Sequence, residues 1–241
     1  MHGRNITRFA VESLFVSGLM ALTGCGSSGG GGPSGNGGTA GGEIPIVAAT
    51  VAADVPYQFG ANAYGVAGGA FLAKASLGSS TVALAGTQAG KVCLNGTVEM
   101  VPTPADGSHP PYSDYWGIEL GFNLNQGTDA VKNPWMVPPG VVGFWFTLEG
   151  SAIPPIRFKT TPTGKDPAQE QDSCALVYPV TGVSNEVLFT EMYVQCWDGP
   201  QGTGTTDISN GLLDMGLQVA AATGVEYPID FCVTHVGVMT N

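Results

Sequence analysis

Positive charge is scarce in this chain. Its 241 residues hold 8 Lys and Arg and 3 His against 19 Asp and Glu, a formal net charge of −11. Neutralising a phosphate backbone takes clustered Lys and Arg, so nucleic-acid binding is excluded as a function class. Charge of either sign is sparse, at 11% of residues, while 43% are hydrophobic. That balance excludes a wholly disordered chain. Helical bundles and coiled coils are excluded too, because 37 Gly and 17 Pro punctuate the sequence and no 12-residue window carries a helical period. There is no internal repeat, no C-x-x-C pair and no phosphate-binding G-x-x-x-x-G-K. His2, His109 and His235 stand apart from one another, which argues against structural zinc and gives no triad context. The one G-x-S-x-G match, Gly26 to Gly30, lacks the strand and helix of a nucleophile elbow.

What is present begins with a leader. Arg4 and Arg8 form a positive n-region, and an apolar stretch from Ser13 to Leu22 follows, too short to span a bilayer. It ends Leu22-Thr23-Gly24-Cys25, which resembles the lipobox of bacterial lipoproteins. The resemblance implies cleavage before Cys25, lipidation of its thiol, and a membrane-anchored exported protein. The absence of Asp after Cys25 leans toward the outer membrane or cell surface. Ten of residues 26–42 are Gly, and the segment 26–54 is expected to be a flexible tether. Its Gly-rich part has an r.m.s. span of roughly 20–25 Å. The expected organisation is 1–25 signal peptide, 26–54 tether and 55–241 folded domain. Without the leader, 6 basic and 18 acidic residues remain, a net charge of −12. Such a surface suits neutral ligands or cations rather than anionic lipid.

Four cysteines remain, an even number in an exported domain, which reads as two disulfides. Three pairings are open. The expected one is Cys93 with Cys232, joining an early strand to the last, and Cys174 with Cys196, stapling a long loop to the strand after it.

From about residue 55 onward, short alternating or apolar runs separated by Gly, Pro, Asn and Asp predict strands near 62–74, 81–85, 91–101, 115–125, 141–149, 154–160, 174–179, 186–197, 212–221 and 228–239. Ten short strands predict an all-β, two-sheet antiparallel sandwich or jelly roll. The period of two also sorts side chains by face. Trp116, Ile118, Leu120, Phe122 and Leu124 are expected in the core, as are Phe144, Phe146 and Leu148. Leu188, Met192, Val194 and Cys196 belong there too, with Leu213, Met215, Leu217 and Val219. The opposite faces carry Tyr115, Glu119, Asn123, Trp145, Glu191, Tyr193, Gln195, Trp197 and Gln218. Aromatic rings stack on the C–H faces of pyranose rings, while amides and carboxylates bond their hydroxyls. These nine residues are the candidate glycan-binding set, provided their strands neighbour one another in one sheet. Interleaved Gly117, Gly121 and Gly216 would let a ligand approach the backbone. The bland reading is an ordinary solvated sheet face.

Four segments together resemble the galactose-binding-like jelly rolls of carbohydrate-binding modules: Lys91 to Thr97 (KVCLNGT), Tyr115 to Gln126 (YWGIELGFNLNQ), Gly140 to Gly150 (GVVGFWFTLEG) and Pro228 to Val233 (PIDFCV). The strand Ile156 to Lys159 (IRFK) follows the third, as is usual in that family. Cysteine-containing versions occur in surface lipoproteins of the myxobacterial type. The likeness covers about 60–240 and implies carbohydrate binding without naming a sugar. It also implies a structural calcium in many members, for which no acidic cluster here supplies a place.

The leading expectation is therefore a non-catalytic, lipid-anchored glycan-binding protein. An alternative site lies at loop tips, with Tyr112, Trp135, Asp198 and Asp207. The alternative functions are a structural or adhesive envelope protein without a small ligand and, behind it, a glycoside hydrolase using Glu119 with Glu191 or Glu149.

Overall fold

The alternating runs become strands that close over one core. The computed structural model describes residues 39–48, 57–74, 81–84, 90–126, 131–164, 172–196 and 204–241. The early strands are β1 (Thr39–Glu43), β2 (Ile46–Ala48), β3 (Tyr57–Phe59), β4 (Ala70–Lys74), β5 (Ala83–Leu84) and β6 (Val92–Val98). The middle of the chain gives β7 (Ile118–Asn123), β8 (Val141–Ala152), β9 (Ile156–Pro162), β10 (Ser173–Val177) and β11 (Ser184–Leu188). The last are β12 (Tyr193–Val194), β13 (Gly204–Thr205), β14 (Leu212–Val219) and β15 (Tyr227–Thr240). The helical elements among the described residues are two short 3-10 turns, Tyr112–Tyr115 and Phe189–Glu191.

One sheet runs β11-β8-β15-β6-β5, with β1 also on β15; the other runs β13-β12-β10-β9-β14-β7-β4. Every pairing between these strands is antiparallel. The chain changes sheet at β6–β7, β7–β8 and β8–β9, the alternation of a jelly roll. The all-β two-sheet sandwich read from the sequence is the architecture found.

Between the sheets, Phe144, Phe146 and Leu148 of β8 and Phe231 and Val233 of β15 meet Leu120, Phe158 and Leu217 of the facing sheet, all essentially buried. Phe146 stacks on Phe158 with ring centroids 5.7 Å apart, and Phe144 packs edge-on against Phe189 at 5.5 Å. Burying each such side chain contributes about 1.5–3 kcal/mol.

Both disulfides join the expected partners. Cys93 and Cys232 are register partners on β6 and β15, with Cα atoms 3.9 Å apart. Cys174 and Cys196 join β10 to the segment after β12.

Three expectations need correction. The sandwich begins inside the segment read as tether: β1 pairs with β15, and β2 pairs with β3. Gly there serves close approach rather than freedom. A Cβ on Gly41 would lie 2.2 Å from the Val238 carbonyl oxygen, and one on Gly42 would meet the Tyr64 ring at 2.6 Å. The span 186–197 is not one strand either. A 3-10 turn after β11 carries buried Phe189 and Met192 inward, and the chain then crosses to the other sheet as β12. Trp116, expected in the core, is half-buried with its ring 5.3 Å from the Lys159 ammonium. Gly117 follows it with φ of +73°, which ends the alternation before β7 starts.

Candidate functional site

The outer face of the seven-stranded sheet is ordered by register. One row reads Glu119, Gln218, Arg157, Leu176 across β7, β14, β9 and β10. The next reads Gly121, Gly216, Lys159, Cys174, Tyr193 and reaches β12. This face has two halves of different character.

The half over β7, β14 and β9 is closed. Glu119 is 5% exposed, Asn123 3% and Gln218 3%. Lys159 Nζ donates to Glu119 Oε2 at 2.9 Å and pairs with Asp172 Oδ2 at 2.7 Å. Lys132 Nζ lies 3.8 Å from Asp214 Oδ2. Asn123 Nδ2 donates to Gln126 Oε1 at 2.9 Å, and Gln218 Nε2 donates to the Trp116 carbonyl at 2.9 Å. Burial pushes the Glu119 carboxyl up, Lys159 pulls it back only in part, and Asp214 and Asp172 add to the rise. Burial raises Asp214 as well, opposed by Thr161 and Lys132. For Lys159, burial opposes the charge, yet the carboxylates of Glu119 and Asp172 more than offset it and hold the ammonium above its ordinary value. One lysine thus serves a crowd of carboxylates. The space over the interleaved glycines is filled by the protein's own side chains, with the Phe71 ring over Gly121 and the Glu119 carboxylate over Gly216.

The half over β10 and β12 is open. A groove of about 740 Å3 is lined by Arg157, Leu176, Tyr178, Glu186, Glu191 and Tyr193, with the Cys174–Cys196 disulfide in its wall. Its volume lies in the range of about 300–1,000 Å3 typical of ligand sites. Local backbone explains it. β12 covers β10 at Ser173 and Cys174, and among the described residues Ala175–Val177 have no strand on that side. Among the described residues β11 is the edge of the other sheet and pairs with β8. Two sheet edges therefore flank one trough. Tyr178 is 72% exposed and Tyr193 is half-buried, so aromatic surface is available to a ligand. Glu191 Oε2 accepts a hydrogen bond from the Leu188 N–H at 3.2 Å, which fixes that carboxylate in the groove wall.

Of the nine residues expected to bind glycan, the groove brings together two, Glu191 and Tyr193. Glu119, Asn123 and Gln218 share the same sheet but are consumed in its buried cluster. Tyr115 lies at the sheet end, its hydroxyl 3.1 Å from Thr223 Oγ1. Gln195 has a φ of 54° and its N–H donates to the Asp172 carbonyl at 3.2 Å. Trp145 belongs to the other sheet, on β8, with its ring against Gly237. Trp197 lies outside the described residues, as do Cys25 and Asp198. Among the loop-tip candidates, Trp135 is core, 3% exposed, with Nε1 donating to the Tyr64 carbonyl at 2.8 Å. Asp207 Oδ1 accepts the Ser209 N–H at 3.0 Å in a local turn. Of the carboxylates suggested for hydrolysis, Glu149 stands on the opposite sheet paired with Lys91 at 2.6 Å, and Glu119 is tied to Lys159. Among the described residues, no three His, Cys, Asp or Glu are grouped to hold a metal.

The residues missed were Arg157, Tyr178 and Glu186. Tyr178 carried a usable signal, since Leu176 and Tyr178 alternate with Ala175 and Val177 before Pro179 stops the strand.

No protein-family model and no curated protein sequence matches the chain. Among solved structures, it is similar to the family 11 carbohydrate-binding module of the cellulosomal cellulase Lic26A-Cel5E of Clostridium thermocellum, at 13% identity and a TM-score of 0.46, over 84% of this chain and 97% of that one. It is similar also to the family 11 module from Clostridium thermocellum in complex with a β-1,3-1,4-mixed-linked tetrasaccharide, at 11% identity and a TM-score of 0.46, over 82% and 96%. Likeness of this degree assigns this chain neither a ligand nor a site.

Proposed function

We propose that this is a non-catalytic glycan-binding domain carried by an exported bacterial lipoprotein. Cys25 is the lipid attachment point, and the Gly-rich segment after it holds the domain off the outer membrane or cell surface. The observation that carries the binding reading is the open groove between two sheet edges. It pairs aromatic surface from Tyr178 and Tyr193 with the polar groups of Arg157, Glu186 and Glu191. Rings provide faces for the C–H side of a sugar, and the charged groups provide donors and acceptors for its hydroxyls.

One observation favours a protein partner instead. Leu176, Tyr178, Val180 and Val183 are all exposed along the β10–β11 connection, an apolar strip of the kind protein interfaces use. A glycan array probed with the full chain, with and without calcium, separates the readings. Saturable retention of a glycan without its hydrolysis supports the binding module. A folded, disulfide-intact chain that retains no glycan moves the groove to protein recognition, and turnover of a retained glycan would make the protein an enzyme.

A further inference from the structure

Arg157 is the unusual residue of the groove. The chain carries far more acidic than basic side chains, so carboxylate partners are plentiful. Among the described cations, Lys91, Lys132 and Lys159 each have one, at 2.6, 3.8 and 2.7 Å. Lys74 is exposed at the end of its strand. Arg157 is half-buried, yet among the described residues no carboxylate lies in ion-pair range of its guanidinium. Burial moves its pKa downward, and among the described residues no charged neighbour contributes. Glu186 and Glu191 line the same groove but do not neutralise it. Guanidinium has five N–H donors in a fixed fork that matches a carboxylate bidentately, and it stays charged in any protein environment. Holding it half-desolvated without a carboxylate partner among the described residues costs folding free energy. A binding site recovers that cost when the ligand supplies the acceptor.

We propose that the groove selects an acidic glycan, a chain containing uronic acid, whose carboxylate docks on the Arg157 fork while the sugar rings lie against Tyr178 and Tyr193. The proposal rests on the glycan-binding reading of the same groove. It reverses locally what net charge suggests for the whole surface. The general repulsion of an acidic protein is screened over about 8 Å at physiological salt, whereas a contact pair in a groove is screened much less.

The test is a calorimetric titration of the full chain with tetragalacturonate, with the same tetramer methyl-esterified at its carboxyls, and with cellotetraose. The free-acid tetramer is expected to bind about 10- to 100-fold more tightly than either neutral chain, the range for hydrogen bonds to charged groups. Arg157→Gln is expected to abolish that preference and leave a similar, weaker affinity for all three. Arg157→Lys, which keeps charge and loses the fork, is expected to retain part of it and serves if the Gln variant fails to fold. Equal or tighter binding of the neutral chains, or a preference undiminished in Arg157→Gln or, where that variant does not fold, in Arg157→Lys, overturns the acidic selection while leaving glycan binding intact. No binding of any tetramer to the folded chain overturns both.

Discussion

Replacing Lys159 by Met tests the buried cluster behind the groove. Lys159 Nζ stands 2.9 Å from Glu119 Oε2 and 2.7 Å from Asp172 Oδ2. At an effective dielectric of about 20, each contact represents about 6 kcal/mol of attraction, set against several kcal/mol for desolvating the ions. The intact pair is therefore worth little net, but its one-sided loss is not. Lys159→Met leaves Glu119 buried without its cation, with Asp214 and Asp172 still repelling it. Breaking a buried pair in this way costs about 3–5 kcal/mol, and the cost depends on pH. Glu119 is held above its ordinary value of 4.5, so the native state binds more protons than the unfolded chain from that pH upward. Its contribution is fully present below 4.5 and is lost as pH rises through the folded-state value. Removing Lys159 raises Glu119 further and widens that window. Urea unfolding should show a loss of about 3–5 kcal/mol at pH 7 and a clearly smaller loss near pH 4. Adding Glu119→Gln to Lys159→Met should recover part of the pH 7 loss. Equal losses at both pH values, or a double variant no more stable than the single one, would refute the reasoning.

The other predictions concern the staples, one turn and the groove wall. Cys93→Ala/Cys232→Ala opens a closure of 139 residues, worth about 5 kcal/mol in the chain-entropy account. Denaturant unfolding should show a loss of that order with a larger m-value, and a loss below about 1 kcal/mol would contradict it. Gly117→Ala combines a φ of +73° with a Cβ only 2.0 Å from the Val219 carbonyl oxygen. It should destabilise by about 2 kcal/mol or more, so an unchanged melting temperature would show that the turn relaxes freely. Cys174→Ala/Cys196→Ala frees the segment beside Tyr193 at the groove, so glycan affinity should fall at least about tenfold in a chain whose circular dichroism is unchanged; undiminished affinity would remove the disulfide from the site.

The sandwich was legible because period-two alternation is written plainly in β7, β8 and β14, where Leu120, Phe146 and Leu217 all point inward as read. Of the three pairings open to the cysteines, the one favoured because it ties an early strand to the last is the one found, with Cys93 opposite Cys232 on β6 and β15. Irregularities were less legible. In β15, Phe231 and Val233 face the core at odd positions, while Val236 and Val238 face it at even ones, after a register shift between Val233 and His235. The consecutive polar pair Thr234-His235 marks that shift of phase, but such a pair does not say that the strand bulges and continues rather than ends. The 3-10 turn at Phe189 hid in the same way, since one buried aromatic out of phase looks like an exposed one. The site was harder still. Alternation tells which side of a strand Glu119 and Trp145 occupy, but not that their strands belong to different sheets or that Glu119 meets Lys159 from 40 residues away. The groove arises from where pairing stops, at Cys174 on β10, and the end of a pairing is a tertiary fact.

The measurement that bears most directly on the central claim is a glycan titration of the full chain beside its Tyr178→Ala/Tyr193→Ala variant, both checked for intact disulfides. Saturable binding to the parent is expected, with a loss of about tenfold or more in the variant, from the stacking the two rings supply. Equal binding by both proteins would place the ligand elsewhere. A folded parent that binds no glycan would contradict the account.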